Sequence, residues 1–103
     1  IKRGDFAMFL VLTKYVKSTE DVDKFLPAHS EFLDRYYAQG KVIFSGRRNP
    51  RIGGAIMFNV ATEAEVMSIL SEDPFRRNGI TECEIYEIIP TKYADAFKSF
   101  VQP

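Results

Sequence analysis

A chain of 103 residues, 46% of them hydrophobic, is long enough to bury one core and too short for two. Fourteen Lys and Arg against fourteen Asp and Glu leave no net charge, so the basic excess of a domain that grips duplex nucleic acid is missing. The lone cysteine, Cys83, cannot form an internal disulfide, no apolar run approaches a membrane span, and the first residues lack a signal-peptide pattern. The expectation is therefore a cytoplasmic protein without a nucleic-acid or membrane partner.

Residues 6–16 are rich in strand formers and nearly continuous in apolar character, which predicts a strand covered on both faces. Ser18, followed by Asp21, predicts a helix cap, and a helical stretch runs from there to Gln39, with Gly40 as its stop. Pro27 removes a backbone donor and is expected to break that stretch into a short first piece and a longer second one. On the second piece Phe32, Leu33, Tyr36 and Tyr37 form an apolar stripe, with Glu31, Asp34 and Arg35 outside it. Residues 42–45 predict a second strand, residues 49–54 a turn, and residues 55–60 a third strand. Thr62 with Glu65 forms a second capping box, and Val66, Met67, Ile69 and Leu70 form the inner face of its helix. Asp73-Pro74 is expected to end that helix. Residues 83–90 alternate as a last strand, and Tyr93, Phe97, Phe100 and Val101 follow at helical spacing in a tail.

The order β-α-β-β-α-β predicts an α+β, ferredoxin-like domain with one four-stranded antiparallel sheet, spanning 1–103 with a core over about 6–93. Right-handed crossovers place both helices on one sheet face. The first and third strands nevertheless carry large apolar residues on both faces, so the other face needs a cover. A second copy of the sheet packed face to face supplies it, which predicts a homodimer with the 94–103 tail at the interface. The alternative is a monomer whose tail folds over its own sheet.

Several side chains are candidates for chemistry. His29, the one histidine, lies three and four residues before Phe32 and Leu33, on the inward face of its helix beside Pro27. A lone histidine serves as a general base, a ligand or a plain surface residue, and the sequence leaves these open. Asp73, in Glu72-Asp73-Pro74-Phe75, is either a turn residue or a carboxylate that fixes an imidazole tautomer. In this topology the two need not be neighbours; they meet only if the Pro27 break or the Asp73–Phe75 turn folds inward. Ser45 can donate to a ligand, and Gly46 can admit one close to the backbone, or both merely lead into a turn. Arg47, Arg48 and Arg51 suit a carboxylate or phosphate, although such a run more often forms a solvated loop. Phe75, Tyr36 and Tyr37 suit an aromatic pocket or plain core packing. Gly53-Gly54 lies between two strands, which is not the place of a phosphate cradle. One histidine and one distant cysteine imply no metal, and no cofactor is expected. Cys83 shares one side of its strand with Ile85 and Ile89, as a structural residue would.

Taken in order, Pro27-Ala28-His29, Phe32-Leu33, Gly40, Ser45-Gly46, Gly53-Gly54 and Glu72-Asp73-Pro74-Phe75 resemble the YciI-like (YCII-related) family over nearly the whole chain. The resemblance implies a ferredoxin-like domain forming a dimeric α/β barrel. It also implies a proposed catalytic His–Asp pair, at His29 and Asp73, and a pocket lined by Ser45. Many members carry Gly-Pro after the second strand where this chain has Gly46-Arg47, so ligand contacts there are expected to differ. One branch of the family eliminates chloride from chlorinated hydroxyquinones, a proton-transfer reaction.

Two functional readings follow. One is a cofactor-independent, lyase-like or dehydrochlorinase-like enzyme. Its catalytic residues would be His29 and Asp73, and Ser45, Gly46, Arg47 and Phe75 would bind a small aromatic or enolisable substrate. The other is a ligand-binding or sensing domain with the same pocket and no turnover. A pure assembly module, the weakest reading, requires no pocket at all.

Overall fold

The structure, a computed structural model, describes residues 7–101. Phe6, where the sequence pattern of the first strand begins, lies outside these residues, as do the opening residues inspected for a signal peptide and the last two of the tail.

Four strands, β1 (Met8–Tyr15), β2 (Val42–Arg47), β3 (Gly54–Phe58) and β4 (Thr81–Ile88), form one antiparallel sheet in the order β2-β3-β1-β4. Helix α1 (Thr19–Ala38) connects β1 to β2, and α2 (Glu63–Leu70) with the short α3 (Pro74–Arg77) connects β3 to β4. A 3-10 turn (Asp95–Phe97) and α4 (Lys98–Val101) follow. The split β-α-β arrangement and the α+β class are as expected; α3 is an addition.

Both N-caps form. Ser18 Oγ accepts from the Asp21 amide and Thr62 Oγ1 from the Glu65 amide, each at 3.2 Å. The core lies between the sheet and the two long helices: Phe9, Val11, Ile56 and Phe58 from the strands meet Phe32, Leu33 and Tyr36 of α1 and Val66, Ile69 and Leu70 of α2. Phe32 and Phe58 are fully buried, each worth about 1.5–3 kcal/mol relative to exposure.

Three expectations are corrected. Pro27 does not break α1, which runs unbroken over 20 residues. The proline costs the bond to the Asp23 carbonyl, but both residues are exposed and solvent can reach that carbonyl, while the buried stripe on the opposite side holds the helix together. His29 therefore lies mid-helix, not at a helix start. Asp73-Pro74 does not end α2, which stops at Leu70 with Ser71 as its cap; Asp73 instead caps α3, with Pro74 in its first turn. Ser45-Gly46 is not an exit into a turn, because β2 continues to Arg47, opposite Gly54.

Glycines permit that extension. A Cβ on Gly54 would stand 2.8 Å from the Gly46 carbonyl oxygen, and one on Gly53 would stand 1.9 Å from that of Thr13. Only a residue without a side chain tolerates either approach. A register shift between Val42 and Phe44 then sets which β2 residues face the helices. Ser45 and Arg47, opposite Ile56 and Gly54, share the face of Val11 and Thr13, whereas Phe44 turns to the other side with Met57.

Candidate active site

The middle of α1 carries His29 on the same stripe as Val22, Phe25, Phe32 and Tyr36. Its ring is held on two sides. Nδ1 lies 2.8 Å from Asp73 Oδ1, and the ring plane stacks on Phe75 at 4.2 Å between centroids and 14° between planes. Asp73 is 2% exposed and His29 15%, so the carboxylate is sealed while the imidazole keeps one accessible edge.

Asp73 is positioned by the start of α3. Its side chain caps the helix, and Oδ1 accepts from the Phe75 amide at 3.0 Å as well as meeting the imidazole. The four residues of α3 thus bring Asp73 and Phe75 to His29 together, across 44 residues of sequence. Phe75 packs with Val22 and Ile80 in a second small core, and Tyr15 meets its ring edge-on at 6.0 Å.

His29 lines a cavity of about 190 Å³ between α1 and the sheet. Ser45, Gly46, Arg47 and Phe75 line it too, so five of the six residues singled out from the sequence surround one space, and the sixth, Asp73, holds the imidazole. Leu26, Leu33 and Ile56 add apolar wall. Ser45 Oγ stands 2.6 Å from the Tyr37 hydroxyl.

Of the three arginines near the β2–β3 turn, Arg47 alone lines the cavity. Arg48 Nη1 donates to the Thr13 carbonyl at 3.3 Å, and Arg51 pairs with Asp23 of α1, which holds its guanidinium charge more firmly than usual. Two residues that the sequence reading missed, Thr13 and Tyr15, also line the space. The signal was available for Thr13, a hydroxyl in alternation with Phe9 and Val11 on the buried face. It ties β1 to the start of β3 by accepting from the Gly54 amide at 2.8 Å. Among the described residues, no group of three or more His, Cys, Asp or Glu is placed to hold a metal ion, and no helix is long and apolar enough to cross a membrane.

Chemically, the arrangement fixes a tautomer. With the Asp73 carboxylate accepting from Nδ1–H, the neutral imidazole carries its lone pair on Nε2, which has no protein partner among the described residues. A histidine so held can take a proton from a molecule in the cavity, and the buried carboxylate stabilises the imidazolium that results.

A model of the YCII-related domain matches residues 7–92. The chain belongs to the YCII-related family. Comparison with curated proteins finds no match. Among solved structures, this YCII-related domain is similar to the 5-chloro-2-hydroxyhydroquinone dehydrochlorinase of Burkholderia phenoliruptrix, determined in complex with 2,5-dihydroxybenzoquinone. The TM-score is 0.67 at 18% identity, and the match covers 86% of this chain and 97% of that one. At that identity the likeness establishes the fold.

Proposed function

We propose that this YCII-related domain is a cofactor-independent enzyme that moves a proton on a small molecule, with His29 as general base and acid and Asp73 as its orienting partner. The observation that carries the reading is the 2.8 Å contact between His29 Nδ1 and a sealed carboxylate, made by an imidazole that also borders a cavity. A histidine needed only for packing has no use for a buried charge on one nitrogen and an open space beside the ring.

The step begins with ligand in the cavity, flanked by the apolar wall and the Ser45 hydroxyl. His29 Nε2 takes a proton from carbon or oxygen of the ligand. The electron pair left behind either delocalises as an enolate or expels a leaving group, such as chloride, from a neighbouring position. In the elimination the ligand loses one proton and one anion with no net change of oxidation state, and the imidazolium returns its proton to solvent. In the enolate branch no group leaves, and the imidazolium or solvent reprotonates the enolate, which gives exchange or isomerisation. The solved relative, named as a dehydrochlorinase, is in keeping with this class of reaction.

Two assays test the reading: chloride release from 5-chloro-2-hydroxyhydroquinone, and deuterium incorporation from D2O into small enolisable ketones and hydroxyquinones followed by NMR. At least one such compound is expected to turn over, and His29→Ala is expected to lower its rate on the order of 10²–10⁴-fold. An unchanged rate in His29→Ala overturns the assignment. Binding without exchange or elimination for every compound replaces it with the ligand-binding reading.

A further inference from the structure

The charges on the residues that line the cavity are one-sided, the nearby Asp73 carboxylate being sealed behind His29 and engaged with its ring. Among the lining residues, Arg47 is the one with a permanent charge, His29 is the one that gains positive charge by taking a proton, and no acidic side chain faces the space. Arg47 also has no ion pair among the described residues, whereas Arg51 and Arg35 are each paired with carboxylates and Arg48 is held by a backbone carbonyl. Its place is built by the fold. The extension of β2 puts Arg47 on the helix-facing side of the sheet, two residues beyond Ser45, and Gly54 directly opposite leaves it room. A free guanidinium at the rim of a small, largely apolar hollow is a receptor for an oxyanion, because its planar fork matches carboxylate or enolate oxygens and its charge meets no competing acid. Size limits the rest of the ligand. A cavity of about 150 Å³ takes benzene, so about 190 Å³ accommodates roughly one six-membered ring with its substituents.

We infer that the cavity selects small organic anions of about one ring, whose carboxylate or enolate oxygen is received by Arg47 while the atom that loses its proton lies at His29. The inference rests on the reading of this cavity as the reaction site and narrows its substrate class. Arg47 thereby becomes the residue that sets ligand charge, separate from the proton-transfer pair.

Calorimetric titration at pH 7 with three probes tests it: benzoate, its neutral isostere benzamide, and 2,5-dihydroxybenzoquinone, which is ionised at that pH. At least one anion is expected to bind, and benzamide at least tenfold more weakly. Arg47→Ala is expected to weaken the anions about tenfold or more and leave benzamide unchanged. Arg47→Lys should fall between, since it keeps the charge and loses the fork. Arg51→Ala removes an equal charge from the turn that follows β2 and is expected to change anion affinity less than twofold. Whichever anion binds tells carboxylate from enolate. The inference is overturned if neither anion binds at millimolar concentration, if benzamide binds as well as benzoate, or if Arg51→Ala weakens binding as much as Arg47→Ala. His29→Ala keeps the two readings apart. If Arg47 governs anion binding but His29→Ala leaves turnover intact, the charge selection stands and the general-base assignment fails. The reverse pattern, His29-dependent turnover that ignores Arg47, removes only the charge selection.

Discussion

At the scale of single residues, Asp73 has two tasks that one pair of substitutions can separate. It caps α3 and it faces the imidazole. Asparagine caps helices about as well as aspartate, so Asp73→Asn is expected to leave the thermal midpoint within a few degrees while removing the charge that stabilises imidazolium. Turnover in that variant should fall by at least tenfold. Asp73→Ala removes the cap as well and should cost a further 0.5–2 kcal/mol or so of stability, read by urea denaturation. An Asn variant as active as the parent would reduce Asp73 to a cap. Cys83 makes the opposite case. It is half-buried against the main core, and burial pushes its thiol up, with the Arg76 guanidinium only partly offsetting this. Since the folded state favours the neutral thiol, any contribution of Cys83 to stability is present below the unfolded thiol pKa and is lost as pH rises through the higher folded value. Iodoacetamide labelling should titrate with a midpoint above that of a free cysteine, and a midpoint at or below it would mark a reactive thiol instead. The candidate residues were legible one by one because their types suit proton transfer and ligand contact. Their convergence was not, since nothing local to His29 or Asp73 reports a contact across 44 positions.

At the scale of elements, the strands and the two long helices were readable from period-2 and period-3.6 patterning and from the Ser18 and Thr62 caps. What escaped was α3. Four residues give no helical periodicity, and Asp-Pro signals the end of one helix and the start of another equally well. That turn makes the site, so the most consequential element was also the least visible. Pro27 misled in the other direction, because helix propensity omits the tertiary contacts that keep α1 continuous through it. Its cost should still be measurable. A proline is about 3 kcal/mol worse than alanine in a helix interior, and restored freedom of the unfolded chain returns about 0.4–1 of that. Pro27→Ala is therefore expected to stabilise the domain by about 2–2.6 kcal/mol and raise the thermal midpoint by on the order of 10 °C. A lower midpoint would show that the proline fits a local geometry that alanine does not.

At the scale of the whole molecule, the unresolved demand is the second face of the sheet. The cross-strand register sorts the strand residues cleanly. Phe9, Val11 and Thr13 face the helices, whereas Leu10 and Leu12 face away, beside Met57 of β3 and Tyr86 of β4. Phe44, Tyr86 and Ile88 complete that outer face at 49%, 45% and 37% exposure, and Leu10, Leu12 and Met57 are only half covered, while Met8, opposite Ile88 at the end of the same row, is buried. The tail could have sealed it, but its aromatic rings pack in sequence against one another at tilted angles, Tyr93 against Phe97 and Phe97 against Phe100, and the outer face keeps its exposed rings in their presence. Two helices cover one face of a four-stranded sheet and no more, and an apolar face of this kind is a recognised mark of association. A second copy of the same face is self-complementary about a two-fold axis, so the proposed assembly is a homodimer packed sheet to sheet. Light scattering after size exclusion at micromolar concentration is expected to give twice the chain mass. Met57→Glu places a charge at the middle of that face without touching the core beneath it, and should give the monomer mass with an unchanged far-ultraviolet dichroism spectrum. A wild-type monomer would leave the outer face without a second copy, and a Met57→Glu dimer would move the interface elsewhere on the surface.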